Sequence, residues 1–92
     1  MVRLLFVCTG NTCRSPMAER ICNQLLTDVG LQDKMTVESA GLFPLVGEPA
    51  SKNTLLALGA IGLSASDHRA RLLTPTLTEE VDYIITMSPN HD

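Results

Sequence analysis

Residues 2–16 of the chain read VRLLFVCTGNTCRSP, and this stretch decides the fold. Its first part, 2–7, is a nearly continuous apolar run, which is typical of a strand buried on both faces of a parallel sheet. A polar loop over 8–14 follows, and Ser15-Pro16 predicts the start of a helix, with Ser15 as its N-cap. The stretch therefore predicts a strand, a loop and a helix in direct succession.

The remaining sequence alternates between predicted helices and strands. Apolar residues recur at helical spacing along the first helix, at Ala18, Ile21, Cys22, Leu25 and Val29, and Gly30 is placed to end it. The predicted elements that follow are a strand over 35–40, a surface loop over 41–49, a helix over 50–60, an irregular segment over 64–73, a helical turn over 76–80, a strand over 83–87 and the start of another helix over 88–92. This alternation predicts an α/β fold, a doubly wound parallel sheet in a single domain over 1–92.

Composition excludes several classes of function. The chain has 92 residues, of which 3% are aromatic, so we expect one small aliphatic core and no stacking on nucleic-acid bases. A formal net charge of −3 also argues against binding of nucleic acid. No apolar run reaches the roughly 18 residues of a membrane span. Three cysteines without a secretion signal predict a cytoplasmic protein with a reactive thiol.

The loop over 8–14 carries the chemistry. Cys8 directly follows the predicted strand, and the loop leads into a helix N-terminus, where free backbone N–H groups and the helix dipole favour anions. Arg14 adds a planar guanidinium that suits two phosphate oxygens. In this field we expect the pKa of Cys8 to be low, which favours a thiolate able to attack phosphorus. Ser15 is placed to donate a hydrogen bond to that sulfur.

The sequence predicts neither a metal nor another cofactor. Cys8 and Cys13 form a Cys-x4-Cys pair without a second pair of ligands, and this arrangement does not make a zinc site. Cys22 lies on the apolar stripe of the first helix, so we expect it in the core. We interpret His68 as a hydrogen-bonded support for the loop, in preference to a general base.

Residues 7–19, VCTGNTCRSPMAE, resemble the signature of the low molecular weight protein tyrosine phosphatase family. The resemblance continues through 38–41, 68–71 and 82–87 and covers essentially the whole chain. It implies a flavodoxin-like fold around a four-stranded parallel sheet. It also implies cofactor-free hydrolysis of phosphate through a cysteinyl-phosphate intermediate.

The resemblance implies roles for the loop residues. Cys8 matches the nucleophile, Arg14 matches the residue that binds phosphate oxygens and stabilises the transition state, and Ser15 matches the residue that stabilises the leaving thiolate. The residues whose backbone amides would complete the phosphate cradle are Thr9, Gly10, Asn11, Thr12 and Cys13.

The resemblance implies further residues that support the loop. Asn11 matches a residue that holds the loop in a strained shape and is tethered by a serine, here Ser39. His68 matches a histidine that supports the same network. Cys13 matches a cysteine that forms a protective disulfide with the nucleophile on oxidation, but a small residue that simply fits a tight loop is an equal interpretation.

The sequence departs from the family towards its C-terminal end. The family's general acid is an aspartate in an Asp-Pro pair, but the chain has no Asp-Pro dipeptide and ends before a fourth strand and a final helix. Because a general acid contributes roughly 10² to 10⁴ in rate, we expect weak activity on activated aryl phosphates and poor activity on phosphoproteins. Either a shortened phosphatase or a phosphate- or phosphopeptide-binding module fits these features. A missing strand would also leave a bare sheet edge as a surface for a dimer.

Thr12 bears on the choice of substrate. Family members that resemble bacterial arginine phosphatases carry threonine there, whereas tyrosine-specific members carry a larger aliphatic residue. Thr12 therefore favours phosphoarginine over its close alternative, phosphotyrosine, in a phosphorylated protein; a small aryl phosphate is the other substrate we expect. Arsenate reductase shares a similar thiolate loop but is less favoured, because its chemistry needs two further cysteines and none follows Cys22.

Overall fold

Three parallel strands form the centre of the computed structural model, which describes residues 1–87. The elements are β1 (Val2–Cys8), α1 (Arg14–Asp28), β2 (Met35–Gly41), α2 (Lys52–Ala60), α3 (Pro75–Glu80) and β3 (Tyr83–Thr86). The strand order is β2-β1-β3, and β1 pairs in parallel with both neighbours. The predicted α/β fold class is confirmed. The helix predicted to start over 88–92 lies outside the described residues.

The central strand β1 places the loop that follows it. Leu5 and Val7 are 0% and 1% exposed, as expected for a strand with a sheet neighbour on each side. In the register of the sheet, Cys8 lies beside Gly41 of β2, and Val7 lies beside Thr86 of β3. The carboxyl ends of all three strands therefore meet at one edge, where ligands bind in sheets of this kind.

Helix α1 begins earlier than predicted. Its N-cap is Cys13 and no side chain caps it, so Ser15 is not the N-cap but a helical residue that is 0% exposed. The hydroxyl of Ser15 is instead engaged with Cys8 and Asn11, which leaves it unable to cap the helix. Gly30 has a φ of 77°, in keeping with its prediction as the residue that ends the helix.

The apolar stripe of α1 is only partly covered. Ile21 packs against a buried cluster of Ala50, Leu58 and Ala65, whereas Leu25 and Val29 are 58% and 66% exposed. Cys22, which we expected in the core, is half-buried. The stripe is therefore wider than the surface that α2 and the sheet offer to it among the described residues.

Helices α2 and α3 start at side-chain caps. The Oγ of Ser51 accepts a hydrogen bond from Thr54 N, and the Oγ1 of Thr74 accepts one from Leu77 N. Helix α2 therefore begins two residues later than predicted, and α3 begins one residue earlier, at Pro75.

Strand β3 forms one edge of the sheet. All four of its residues are exposed, including Tyr83 at 63%, Ile84 at 39% and Ile85 at 44%. Within residues 1–87, β1 is its only strand partner. No helix in this part of the chain is both long and apolar enough to cross a membrane.

Candidate active site

The loop over 9–13 connects β1 to α1 and is held closely against the end of β2. Leu42 N donates to the carbonyl oxygen of Cys8 at 3.0 Å, and Phe43 N donates to that of Thr9 at 2.9 Å. A Cβ at Gly41 would lie 2.9 Å from the carbonyl oxygen of Thr9 and 3.0 Å from the Cβ of Asn11. Glycine at position 41 therefore permits the close approach of the loop to the sheet.

The thiol of Cys8 lies at the base of this loop and is 7% exposed. Its Sγ lies 2.9 Å from the Oγ of Ser15 and accepts a hydrogen bond of 3.2 Å from Asn11 N. Because Ser15 Oγ already accepts a hydrogen bond from Asn11 Nδ2, its own proton is available for the sulfur. The arrangement is suited to hold a thiolate.

The pKa of Cys8 lies below its ordinary value. Burial of the thiol raises the pKa, but the hydrogen bonds from the Ser15 hydroxyl and from the backbone N–H groups of Ser15, Asn11 and Cys13 outweigh it. The predicted direction of the shift in the pKa of Cys8 is therefore confirmed. Its cause is a set of hydrogen bonds directed at the sulfur.

A pocket of about 200 Å³ opens above the thiol. It is lined by Cys8, Thr9, Gly10, Thr12, Cys13, Arg14 and Met87. Arg14 is exposed in the first turn of α1, and its guanidinium forms no ion pair within residues 1–87. None of the described residues that line the pocket carries a carboxylate, so an anion would meet a cation there without a competing negative charge.

Asn11 holds the middle of the loop in a left-handed conformation. Its φ is 56° and its side chain is 0% exposed. Its Nδ2 donates to Ser15 Oγ at 2.9 Å, its Oδ1 accepts from Arg71 N at 2.9 Å, and its carbonyl oxygen lies 2.6 Å from Nε2 of His68. His68 therefore contacts the loop, as the sequence predicted, and Arg71 is a second contact that the sequence did not reveal.

Ser39 does not tether Asn11 directly, and this expectation is wrong. Its Oγ donates instead to the carboxylate of Glu19 on α1. The carbonyl oxygen of Ser39 accepts from Arg71 Nε at 2.9 Å, and the backbone N–H of Arg71 in turn reaches Asn11. Ser39 is therefore connected to the loop through Arg71.

Thr12 and Cys13 face the start of α2. Ser51 N donates to the carbonyl oxygen of Thr12 at 2.7 Å, and the Sγ of Cys13 donates to Ser51 Oγ at 3.2 Å. Cys8, Cys13 and Cys22 are free thiols, and the redox role of Cys13 stays a prediction. Residues 1–87 contain no cluster of side chains that could hold a metal ion.

Sequence reasoning missed Arg71, Glu38 and Met87. Each lies in a block that carries the resemblance, but nothing in the local pattern shows what it contacts. The guanidinium of Arg71 reaches Glu38 on β2, and Met87 lines the pocket because its N–H pairs with the carbonyl oxygen of Val7 on β1. The contact of Met87 follows from the pairing of β3 with β1, and that of Arg71 follows from the position of its segment beside the end of β2; the local sequence states neither.

Comparisons with known proteins identify the family of the chain. Residues 3–92 match the family model described as low molecular weight phosphotyrosine protein phosphatase. The tyrosine phosphatase Wzb of Salmonella typhi is 39% identical over 89 residues, which cover 97% of this chain and 56% of Wzb.

Two solved structures are also similar. YfkJ from Bacillus subtilis matches with a TM-score of 0.92 and 39% identity, over 97% of this chain and 57% of YfkJ. The YwlE arginine phosphatase, as a cysteine-to-serine mutant with a phosphorylated active-site serine, matches with a TM-score of 0.89 and 34% identity, over 98% of this chain and 57% of YwlE. The chain thus spans 56% to 57% of the length of these relatives. Because the family model matches nearly the whole chain, the protein belongs to the low molecular weight phosphotyrosine protein phosphatase family.

Proposed function

We propose that this chain carries the nucleophile and the phosphate-binding loop of a phosphoprotein phosphatase. The observation that supports the proposal most directly is the thiol of Cys8, which receives hydrogen bonds from Ser15 and Asn11 at the base of a pocket. Arg14 lies at the same pocket, at the N-terminus of α1. A thiolate below an oxyanion site is the arrangement that in-line attack on phosphorus requires.

In the proposed reaction the Cys8 thiolate attacks the phosphorus of the substrate. The S–P bond forms as the bond between phosphorus and the leaving atom breaks, which is P–O in an aryl phosphate or phosphotyrosine and P–N in phosphoarginine. The leaving oxygen or nitrogen takes the bonding electron pair and then a proton. Arg14 and the backbone N–H groups of the loop stabilise the charge on the three equatorial oxygens. Water then attacks phosphorus, the S–P bond breaks, and Ser15 stabilises the thiolate that leaves.

Proton supply to the leaving group limits this reaction. Among the described residues, no carboxylate lines the pocket, and a general acid contributes roughly 10² to 10⁴ in rate. We therefore expect turnover of aryl phosphates with a good leaving group and poor turnover of phosphoproteins by the 92-residue chain. The second candidate is a phosphate- or phosphopeptide-binding module, which needs no carboxylate beside the described residues that line the pocket.

A rapid-mixing experiment with para-nitrophenyl phosphate separates the two candidates. A phosphatase releases a burst of one phenolate per chain as Cys8 becomes phosphorylated. Cys8→Ser should abolish the burst and still bind inorganic phosphate, whereas Cys22→Ser, outside the pocket, should leave it unchanged. Phosphate binding with neither a burst nor any steady release of phenolate that depends on Cys8 would refute the nucleophilic role and favour the binding module.

We propose that the substrate is phosphoarginine in a protein, with phosphotyrosine as the alternative. Thr12 lines the pocket, and the similar YwlE structure is described as an arginine phosphatase, whereas Wzb is named a tyrosine phosphatase. Thr12 brings a hydroxyl to a position where isoleucine would bring only apolar atoms. Comparing kcat/KM for phosphoarginine and phosphotyrosine peptides, before and after Thr12→Ile, tests this. Unchanged selectivity would remove the argument from Thr12.

We also propose that β3 pairs with β3 of a second copy of this chain. The strand lies at the sheet edge and exposes Ile84 and Ile85 at 39% and 44%, and such an edge is a template for strand pairing. Sedimentation should show a dimer that Ile85→Lys dissociates. Leu56→Lys, at an exposed position on α2, should leave the dimer intact. A monomer at every concentration of the unaltered protein would contradict the pairing.

A further inference from the structure

The backbone of Asn11 is held in place by residues that do not line the pocket. A left-handed φ of 56° is unfavourable for a residue with a side chain, and it persists only where surrounding contacts impose it. Two of the contacts on Asn11 come from the segment over 68–71, through Nε2 of His68 and the backbone N–H of Arg71. The position of that segment therefore decides where Asn11 N points.

The side chain of Arg71 ties this segment to β2. Its Nε donates to the carbonyl oxygen of Ser39 at 2.9 Å, and its Nη2 donates to Oε1 of Glu38 at 2.9 Å. Its carbonyl oxygen accepts from Gly41 N at 2.8 Å. Arg71 therefore joins the end of β2 to the side-chain amide of Asn11.

Glu38 is itself fixed by a second arginine. Arg3 on β1 donates to both of its carboxylate oxygens, at 2.9 Å and 3.0 Å. The hydrogen bonds of Arg3 and then of Arg71, against some desolvation, hold the pKa of Glu38 below its ordinary value, so the carboxylate stays charged at neutral pH. The anchor for Arg71 is therefore an anion held in a defined orientation.

We infer that Arg71 is a positioning residue for the nucleophile. With its guanidinium fixed by Glu38 and Ser39, Arg71 holds its own N–H against Asn11 Oδ1 and so aims Asn11 N at the sulfur of Cys8. The inference rests on the proposed role of Cys8 as nucleophile. It concerns the ionisation of the thiol, however, which does not require turnover.

Arg71→Ala should raise the pKa of Cys8. Loss of a well-directed hydrogen bond to a charged group corresponds to a rise in pKa of about 1, so the midpoint of the pH profile for alkylation of Cys8 should move up by about one pH unit. Arg71→Lys should restore part of the effect, because an ammonium reaches Glu38 but lacks the second, planar donor for the Ser39 carbonyl.

A matched pair of carboxylate variants tests the anchor. Glu38 and Glu80 both pair with Arg3, at 2.9 Å and 3.7 Å, but only Glu38 also contacts Arg71. Glu38→Gln should raise the pKa of Cys8 in the same direction as Arg71→Ala, and Glu80→Gln should leave it unchanged. Equal effects of the two variants would show a general influence of charge and would overturn the inference.

The measurement is the pH dependence of iodoacetamide alkylation, followed by mass spectrometry that resolves Cys8 from Cys13. Circular dichroism of each variant checks that the protein is folded. An unchanged pKa of Cys8 in folded Arg71→Ala would overturn the inference even if a phenolate burst is seen. A raised pKa with neither a burst nor any steady release of phenolate that depends on Cys8 in the unaltered protein would support the inference and refute the proposed nucleophilic reaction.

Discussion

The hydroxyl oxygen of Ser15 lies 2.9 Å from the sulfur of Cys8, and the two residues stand at opposite ends of the loop over 9–13. Ser15 belongs to the first turn of α1, and Cys8 is the last residue of β1. The loop is therefore closed by a contact between the strand that precedes it and the helix that follows it.

Removing the contact between Ser15 and Cys8 should make the thiol of Cys8 less acidic. Ser15→Ala deletes a hydrogen bond that lowers the pKa of Cys8, while burial continues to raise it, so the pKa should increase and the thiolate fraction at neutral pH should fall. Loss of one such hydrogen bond to a charged group corresponds to about a tenfold decrease in the acid dissociation constant of the thiol. The rate of the phenolate burst against pH checks this. Ser64→Ala, at an exposed serine that bonds Ser66, is the control and should leave the profile in place.

Replacing Asn11 should lower the free energy of unfolding through two separable effects, the loss of its side-chain hydrogen bonds and the cost of its left-handed backbone. Asn11→Ala removes the acceptor for Arg71 N and one of the two partners of Ser15 Oγ, and it keeps the left-handed backbone, so we expect a loss of about 2–3 kcal/mol in the free energy of unfolding. Asn11→Gly loses the same side-chain bonds, but its backbone adopts this conformation about 1 kcal/mol more easily. Urea denaturation of the two variants measures the difference. Equal stabilities would mean that the φ of 56° carries no strain.

Gly41 should be essential for phosphate binding. A Cβ at this position would lie 2.9 Å from the carbonyl oxygen of Thr9, so Gly41→Ala must displace the loop. We expect at least a tenfold weaker affinity for inorganic phosphate, which calorimetry measures. Gly59→Ala on α2 meets nothing within 4 Å and should stabilise its helix by roughly 0.5–1 kcal/mol without changing that affinity. A similar affinity in both variants would contradict the close packing of the loop against β2.

Stability should decline in acid partly because of Glu38. Its pKa in the folded protein lies below the ordinary value of 4.5, so the unfolded chain binds its proton first as the pH falls. The contribution of Glu38 to the free energy of unfolding is complete above about pH 5. It is lost as the pH falls below 4.5 and through the lower pKa of the folded protein. Glu38→Gln should flatten this part of the profile of unfolding free energy against pH. A profile with the same slope in both proteins would exclude Glu38 as a source.

The local elements were predictable because their signals lie within a few residues of one another. The apolar run over 2–7 marks a doubly buried strand, and Gly30 marks the end of a helix. The thiol and arginine of the loop were predictable as well, since a fixed spacing places both beside one helix N-terminus.

The contacts that fix the loop were less predictable. Ser15 precedes a proline, a pattern typical of an N-cap, but its hydroxyl contacts the buried sulfur of Cys8 and does not cap the helix. The expected bond from Ser39 to Asn11 is replaced by the path through Arg71, because the Oγ of Ser39 reaches Glu19 on α1 instead. These outcomes depend on which elements are neighbours in space, and that information is not local.

The distance along the chain between Asn11 and its partners has a consequence for how the protein is made. The bonds of Asn11 to His68 and Arg71 join residues 57 and 60 positions apart. A growing chain that has not yet added Arg71 cannot hold Asn11 in its left-handed conformation, so its Cys8 remains an ordinary, weakly acidic thiol. The contact of Arg71 that holds Asn11 in place can therefore form only after residue 71 has been added to the chain. Until then the hydrogen bond from Asn11 N to the sulfur, one of the causes of the low pKa of Cys8, is not held in place.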